Sequence, residues 1–356
     1  MKYEIIKIKD EVVKIEVTNS KGLKLVLCNM GASIRNIYLF DELMTLSPED
    51  DMDFIRNDGF FGKTVGRTCG RIKNATYTLN GKVAKLDIND FGKNNLHSGF
   101  NAYHSKVFEY EIKEEKEYID INFKRKSLDG ENGHVGECDI DVLYRIYNNL
   151  NTFELVYYVK AIDDCYVDLT NHVYLNLSGN FKRDILNEKL YINASKYGRL
   201  NKENIQVSVD KVTKYYNFKR KHKVGKYVNT DTVLSNQNGY DNPYYVDSNE
   251  QSKPQAILFD KLSKVKLNLY TTYPIVHLYT NNYPTNYEIC GDIKDKKYQA
   301  LCLECEYYPN GINEGKTEGI INKGDTLANS IKYEFIKKWD LMLSTPKVGP
   351  RKLGKT

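Results

Sequence analysis

The chain has 356 residues, 41% of them hydrophobic, and a net charge of +5 from 52 Lys and Arg against 47 Asp and Glu. That hydrophobic fraction excludes a disordered chain, and the length allows a substantial core without disulfides or structural metal. The basic excess is small and spread out, with short runs only at Lys124–Lys126 and Lys219–Lys223, so neither a nucleic-acid partner nor, with no apolar run of spanning length, a membrane partner is expected.

The first seventeen residues carry Lys, Asp or Glu every few positions and have no apolar h-region, so no signal peptide and a cytoplasmic location are expected. Seven Cys, an odd number without repeated spacing, read as free thiols in a reducing compartment. Period-two alternation follows in chain order: Val13, Ile15, Val17; Leu23, Leu25, Leu27; Ile119, Ile121, Phe123; Ile140, Val142, Tyr144, Ile146; Phe153, Leu155, Tyr157, Val159; Val265, Leu267, Leu269. Such alternation turns one face of a strand into a core and the other outward. Asn80-Gly81, Asp129-Gly130 and Asn310-Gly311 are turn signals between the runs. No long stretch has helical periodicity, which predicts an all-β chain, a large antiparallel sandwich. Without a Pro-rich or Gly/Ser linker, residues 1–339 read as one domain and the basic, apolar-poor stretch 340–356 as a tail outside the fold.

Two motifs imitate chemistry they cannot perform. Gly349 to Thr356 matches GxxxxGK[ST], but that loop needs a helix after it, and none can follow Thr356 here. Cys302 and Cys305 are spaced as a redox CxxC, but positions three apart in a strand face opposite ways, so a dithiol pair is not expected.

Four segments set charged or imidazole groups among apolar or glycine-rich neighbours. Phe60–Ile72 holds Gly62, Gly66 and Gly70 with Arg67 and Arg71, which suggests backbone close to a ligand and a fixed guanidinium. Asn94-Asn95-Leu96-His97-Ser98-Gly99 is a polar loop with one His. In Asp168–Leu177, Thr170, His172, Tyr174 and Asn176 are expected on one strand face, each with a hydrogen-bonding group. In Ala300–Glu306, partial burial is expected to raise Glu304 toward the range of a useful base. Taken singly, each segment reads equally well as a glycine-rich bend, a solvated loop, an internally satisfied polar network or a strand edge.

Together they resemble a family. Asn-x-Leu-His-x-Gly at 94–99, Thr-Asn-His-x-Tyr-x-Asn-Leu at 170–177, Gly239-Tyr240-Asp241, Thr271-Thr272-Tyr273-Pro274 with Tyr279-Thr280, and Leu303-Glu304 occur in the order seen in aldose 1-epimerases. The Gly-rich stretch Ser127–Gly136 is similar to that family's loop before a strand. The resemblance runs from about Met30 to Phe335, nearly the whole chain. It implies a galactose mutarotase-like β-supersandwich with an open cleft, and an isomerase that interconverts the α and β anomers of a free hexose, galactose or glucose. The partner is then a small aldose sugar, with no cofactor and no metal, on a monomer or weak dimer. It further implies Glu304 as base and His172 as acid, with Gly70, Arg71, His97, Tyr174, Asp241 and His277 around the sugar. His172 is expected protonated and Glu304 ionised at the start, their mutual attraction favouring that order.

The chain departs from the family where Gly70 stands for a frequent Asn before the arginine, where His277 stands for Gln, and where Asp241-Asn242-Pro243-Tyr244 stands for a more usual Asp-His-x-Phe. The rivals are a sugar-binding protein without turnover, a glycoside hydrolase using Glu304 with Asp241, and a mutarotase for a phosphorylated hexose with Lys63 and Arg67 as phosphate partners.

Overall fold

The structure is a computed structural model and describes residues 1–56, 59–228, 234 and 237–337. The tail 340–356, its phosphate-loop lookalike and the boundary at residue 339 lie outside the described residues. Alternation becomes strand as expected: Cys138–Tyr147 buries every second residue, and Thr152–Ala161 buries Phe153, Leu155, Tyr157 and Val159. At Asn80-Gly81 both residues take positive φ, 47° and 79°, and close the hairpin of Thr76–Leu79 with Lys82–Lys85. Among the described residues the longest helix is the short Asp51–Arg56.

Three antiparallel sheets form the frame. The first runs in chain order from Lys2–Lys9 to Glu42–Leu43. The largest has nine strands, with Thr326–Lys337 at its centre between Thr152–Ala161 and Val265–Thr271. The third has seven, in the order Gln206–Lys211, Ala194–Leu200, Asp241–Val246, Ile275–Tyr279, Leu301–Glu306, Tyr174–Leu175, Thr45–Leu46. One continuous apolar core receives residues from all three: Leu25 and Ile37, Tyr144 and Leu155, Val276 and Leu303.

The segment 168–177 differs from the single strand expected. Thr170–Asn171 pairs with Thr64–Val65, whereas Tyr174–Leu175 pairs with the seven-stranded sheet. At His172 the chain crosses between them, held by the His172 N–H to Lys63 O (3.0 Å) and the Gly62 N–H to His172 O (2.9 Å). The common face is broken there. Asn176 donates to the carbonyls of Arg183 and Gln299, 2.8 and 2.7 Å, and neither it nor Thr170 lines the cleft that His172 and Tyr174 enter.

Candidate active site

Leu301–Glu306 runs through the interior of the seven-stranded sheet, and alternation divides its roles. Leu301, Leu303 and Cys305 enter the main core, while Glu304 and Glu306 line a pocket of about 200 Å³. Register supplies the neighbours: His277 lies opposite Glu304, Tyr279 opposite Asp241, and Tyr174 opposite Cys302. Opposed residues share a face of the sheet, so Asp241, His277, Glu304 and Tyr174 converge on one wall. Cys302 and Cys305 do part as expected, Cys302 Sγ lying 3.5 Å from His172 Nδ1 and Cys305 in the core.

The facing wall is loop. Arg71–Ile72 pairs with Asn95–Leu96, and beside that ladder Gly70 and His97 both take left-handed backbone, φ 61° and 54°. The Gly70 N–H donates to His97 Nδ1 at 3.2 Å, and the His97 N–H to Gly70 O at 2.9 Å. An imidazole whose Nδ1 accepts keeps its proton on Nε2, so His97 presents a donor. Asn is among the residues that enter left-handed backbone most readily, so Gly70 keeps the conformation this contact needs and gives up only an amide. Arg71 Nε holds Asp90 Oδ2 at 3.1 Å, with its Nη1 4.0 Å from Asp241 Oδ2, which ties the two walls together. Phe60 stands edge-on to His97, ring centroids 4.8 Å apart, and tilted to His172 at 5.9 Å. The Tyr174 hydroxyl donates to Gly59 O at 2.7 Å, and its ring packs 5.0 Å from that of His172.

All eight residues expected at the site, Gly70, Arg71, His97, His172, Tyr174, Asp241, His277 and Glu304, line this one pocket. His172 Nε2 is 3.6 Å from Glu304 Oε2, both side chains buried. Their protonation order reverses the expectation. Burial lowers His172 to about 4 and raises Glu304 to about 8, so loss of water outweighs their mutual attraction. His277 goes the other way. Burial opposes its charge, but hydrogen bonds to Asp241 Oδ1 (2.8 Å) and Glu306 Oε1 (3.1 Å) raise it to about 10. Burial likewise works against the Asp241 carboxylate, and the His277 hydrogen bond and the Arg71 charge hold it below its usual value nevertheless.

Glu306, Phe60 and Tyr279 also line the pocket and were not expected there. Alternation is the signal that could have found two of them: Glu306 lies two positions from Glu304 and Tyr279 two positions from His277, each on the same strand face, whereas Phe60 has no comparable signal. Arg67 and Lys63 are not at the site. Arg67 is buried and donates to the carbonyls of Val135 (3.1 Å) and Leu128 (3.0 Å), which makes Ser127–Gly136 its receptor loop. Lys63 is buried over the Phe54 ring, 3.8 Å from its centroid, and donates to Met30 O.

His97, His172 and Glu304 each offer a donor atom within 4.8 Å of the others, the make-up of a cation site. Both nitrogens of His97 are spoken for, however: Nδ1 accepts from Gly70, and Nε2 then holds the proton. The trio suits hydroxyls and proton transfer better than a metal ion.

Antiparallel sheets with a polar cleft opening on the seven-stranded layer define a galactose mutarotase-like fold. The chain belongs to the aldose 1-epimerase family, a family of isomerases: the family model described as "Aldose 1-epimerase" matches residues 13–334. It is 28% identical over 295 residues to a galactose mutarotase of Bos taurus, covering 79% of this chain and 80% of that one. It is 26% identical over 336 residues to an aldose 1-epimerase of Escherichia coli K12, covering 90% and 94%. Among solved structures, a galactose 1-epimerase from Lactobacillus acidophilus NCFM superposes with a TM-score of 0.84 at 21% identity, over 94% of this chain and 98% of that one. That likeness speaks for the fold. No helix among the described residues is long and apolar enough to cross a membrane.

Proposed function

We propose that the chain is an aldose 1-epimerase that interconverts the anomers of a free hexose by acid–base ring opening and closure. The observation that carries this reading is the His172–Glu304 couple, 3.6 Å apart in a pocket whose other polar groups suit hydroxyls. Between about pH 4 and pH 8 the couple holds one dissociable proton, resting on Glu304 because burial disfavours both charges. Its other tautomer, imidazolium with carboxylate, has the same proton count. Sugar hydroxyls donating to Glu304 and a ring oxygen accepting from His172 favour that tautomer, because they solvate the charges that burial had stripped.

From it, Glu304 takes the proton of the anomeric hydroxyl while His172 protonates the ring oxygen, and the bond from C1 to that oxygen breaks. The couple has now returned to its resting tautomer. Rotation about C1–C2 presents the other face of the aldehyde, and the two transfers run backwards to close the ring. No proton is exchanged with solvent over the cycle, and each placed group contributes roughly 10²–10⁴-fold. Asp241, His97 and Arg71 hold the remaining hydroxyls and fix the ring against the couple. The hydrolase reading would leave His172 without a role, and the phosphorylated-hexose reading loses Arg67 and Lys63, both engaged elsewhere. The seven cysteines, all free and six of them buried, favour a reducing compartment such as the cytoplasm.

Polarimetry of freshly dissolved α-D-galactose and α-D-glucose tests this. The wild type is expected to speed relaxation to the anomeric equilibrium, His172→Ala to do so far less, and the faster sugar names the substrate. Binding of either sugar by the wild type without faster relaxation would make the chain a sugar-binding protein instead.

A further inference from the structure

His277 makes a pair of contacts that a neutral imidazole cannot make with two carboxylates. Its Nδ1 lies 3.1 Å from Glu306 Oε1 and its Nε2 2.8 Å from Asp241 Oδ1. A neutral ring has one N–H and one lone pair, and a lone pair facing a carboxylate repels it. With both carboxyls ionised, both contacts are attractive only when both nitrogens are protonated. A ring with both nitrogens engaged has no proton to lend and no acceptor to offer, so it is no acid or base for the sugar. Its charge still faces the chemistry, because His277 lies directly opposite Glu304 in the ladder and lines the same pocket.

We propose that His277 is a positioning residue, an imidazolium clamped between Asp241 and Glu306 that aims the sugar-binding carboxylate of Asp241 and makes Glu304 a usable base. The assignment rests on the acid–base reading above. The clamp leaves Asp241 Oδ2 facing Arg71 and the pocket, so the oxygen available to the sugar is selected by the ring that holds the other. It also places one positive charge among the acids of the site. The charged and titratable groups around it are Asp241 on the neighbouring strand, Glu304 and Glu306 on the other neighbour, Arg71 at the loop ladder, and His172 and His97 across the cleft. Tyr279 follows on its own strand. Behind Glu306 stand Cys69, whose Sγ donates to Oε2 at 3.3 Å, and the buried Asp168. In that company the His277 charge lowers the proton affinity of Glu304 and of His172 alike.

The test has two arms. In the wild type, ¹⁵N-detected NMR of the six histidines, with His277 assigned by its loss in His277→Gln, is expected to show both ring nitrogens protonated from pH 6 to beyond pH 8. A His277 that titrates near its ordinary value overturns the proposal, whatever the enzyme's activity. In the second arm, the pH dependence of galactose mutarotation is compared between wild type and His277→Gln. Removing the cation lets both members of the couple hold their protons to higher pH, so both limbs should move alkaline by about one unit, with a raised KM. A lower kcat with both limbs unmoved would show a merely structural role and overturn the proposal. Absence of mutarotation in the wild type would count against the acid–base reading, and the NMR arm would still decide the clamp.

Discussion

The two walls of the cleft are built by different means. The sheet wall sets Asp241, His277, Glu304 and Tyr174 by ladder register, on strands whose opposite faces are locked in the apolar core. The loop wall sets Phe60, Gly70 and His97 by left-handed backbone, φ 56°, 61° and 54°, with Arg71 between them tied to Asp90. A ladder cannot shift by one residue without turning its whole apolar set outward, so the sheet wall can hold groups whose burial is costly. A loop held by a few special φ angles can vary its side chains while its backbone N–H groups keep their aim, as Gly70 does toward His97. The ladder thus holds the buried acids Glu304 and Asp241, whereas His172 is fixed at the crossing between sheets by backbone hydrogen bonds to Gly62 and Lys63, and the loop wall presents His97.

The largest effect is expected at Glu304. Glu304→Gln keeps size and register, removes the proton acceptor, and is expected to lower kcat by roughly 10²–10⁴-fold with little change in sugar binding. Equal losses in both, read from polarimetry and calorimetric binding, would move Glu304 from chemistry to recognition. Asp241→Asn is expected to act next, raising KM by about 10–100-fold, the worth of a charge-assisted hydrogen bond. At Gly70 an added Cβ meets only Glu306 Oε2, at 3.5 Å, so substitution tests backbone conformation rather than space. Gly70→Ala should cost about 1–3 kcal/mol in urea unfolding and weaken sugar binding, while Gly70→Asn should cost clearly less. The smallest change is expected from Tyr174→Phe, which keeps the ring against His172 and loses the hydrogen bond to Gly59 O. About 0.5–1.5 kcal/mol of stability and a few-fold in rate should follow.

Legibility followed physical locality. Strands with one buried face could be read directly from alternation, as at Ile140 to Ile146, because burial of every second residue is what writes the pattern. The central strand Leu301–Glu306 is buried on both faces, and only its chemistry, Leu and Cys against Glu, told the two apart. The crossing at His172 was hidden, since one local pattern served two sheets and the break depends on Gly62 and Lys63, about 110 positions away in sequence. The site residues were found through the family's motifs, but their charges were not. Attraction between His172 and Glu304 is visible in a sequence, whereas the loss of water that overrides it exists only once the pocket is closed. The double contact of His277 likewise needed three strands to be laid side by side.

On the proposed mechanism His172 and Glu304 share one proton and exchange it with the sugar. The pH dependence of wild-type mutarotation on α-D-galactose and α-D-glucose, from pH 3.5 to 9.5, tests it most directly. A bell is expected for the sugar that is turned over. Below about pH 4 the couple gains a second proton and has no base; above about pH 8 it loses its only proton and has no acid. A rate that keeps rising through pH 9, or a single limb near the ordinary histidine value, would contradict a shared proton.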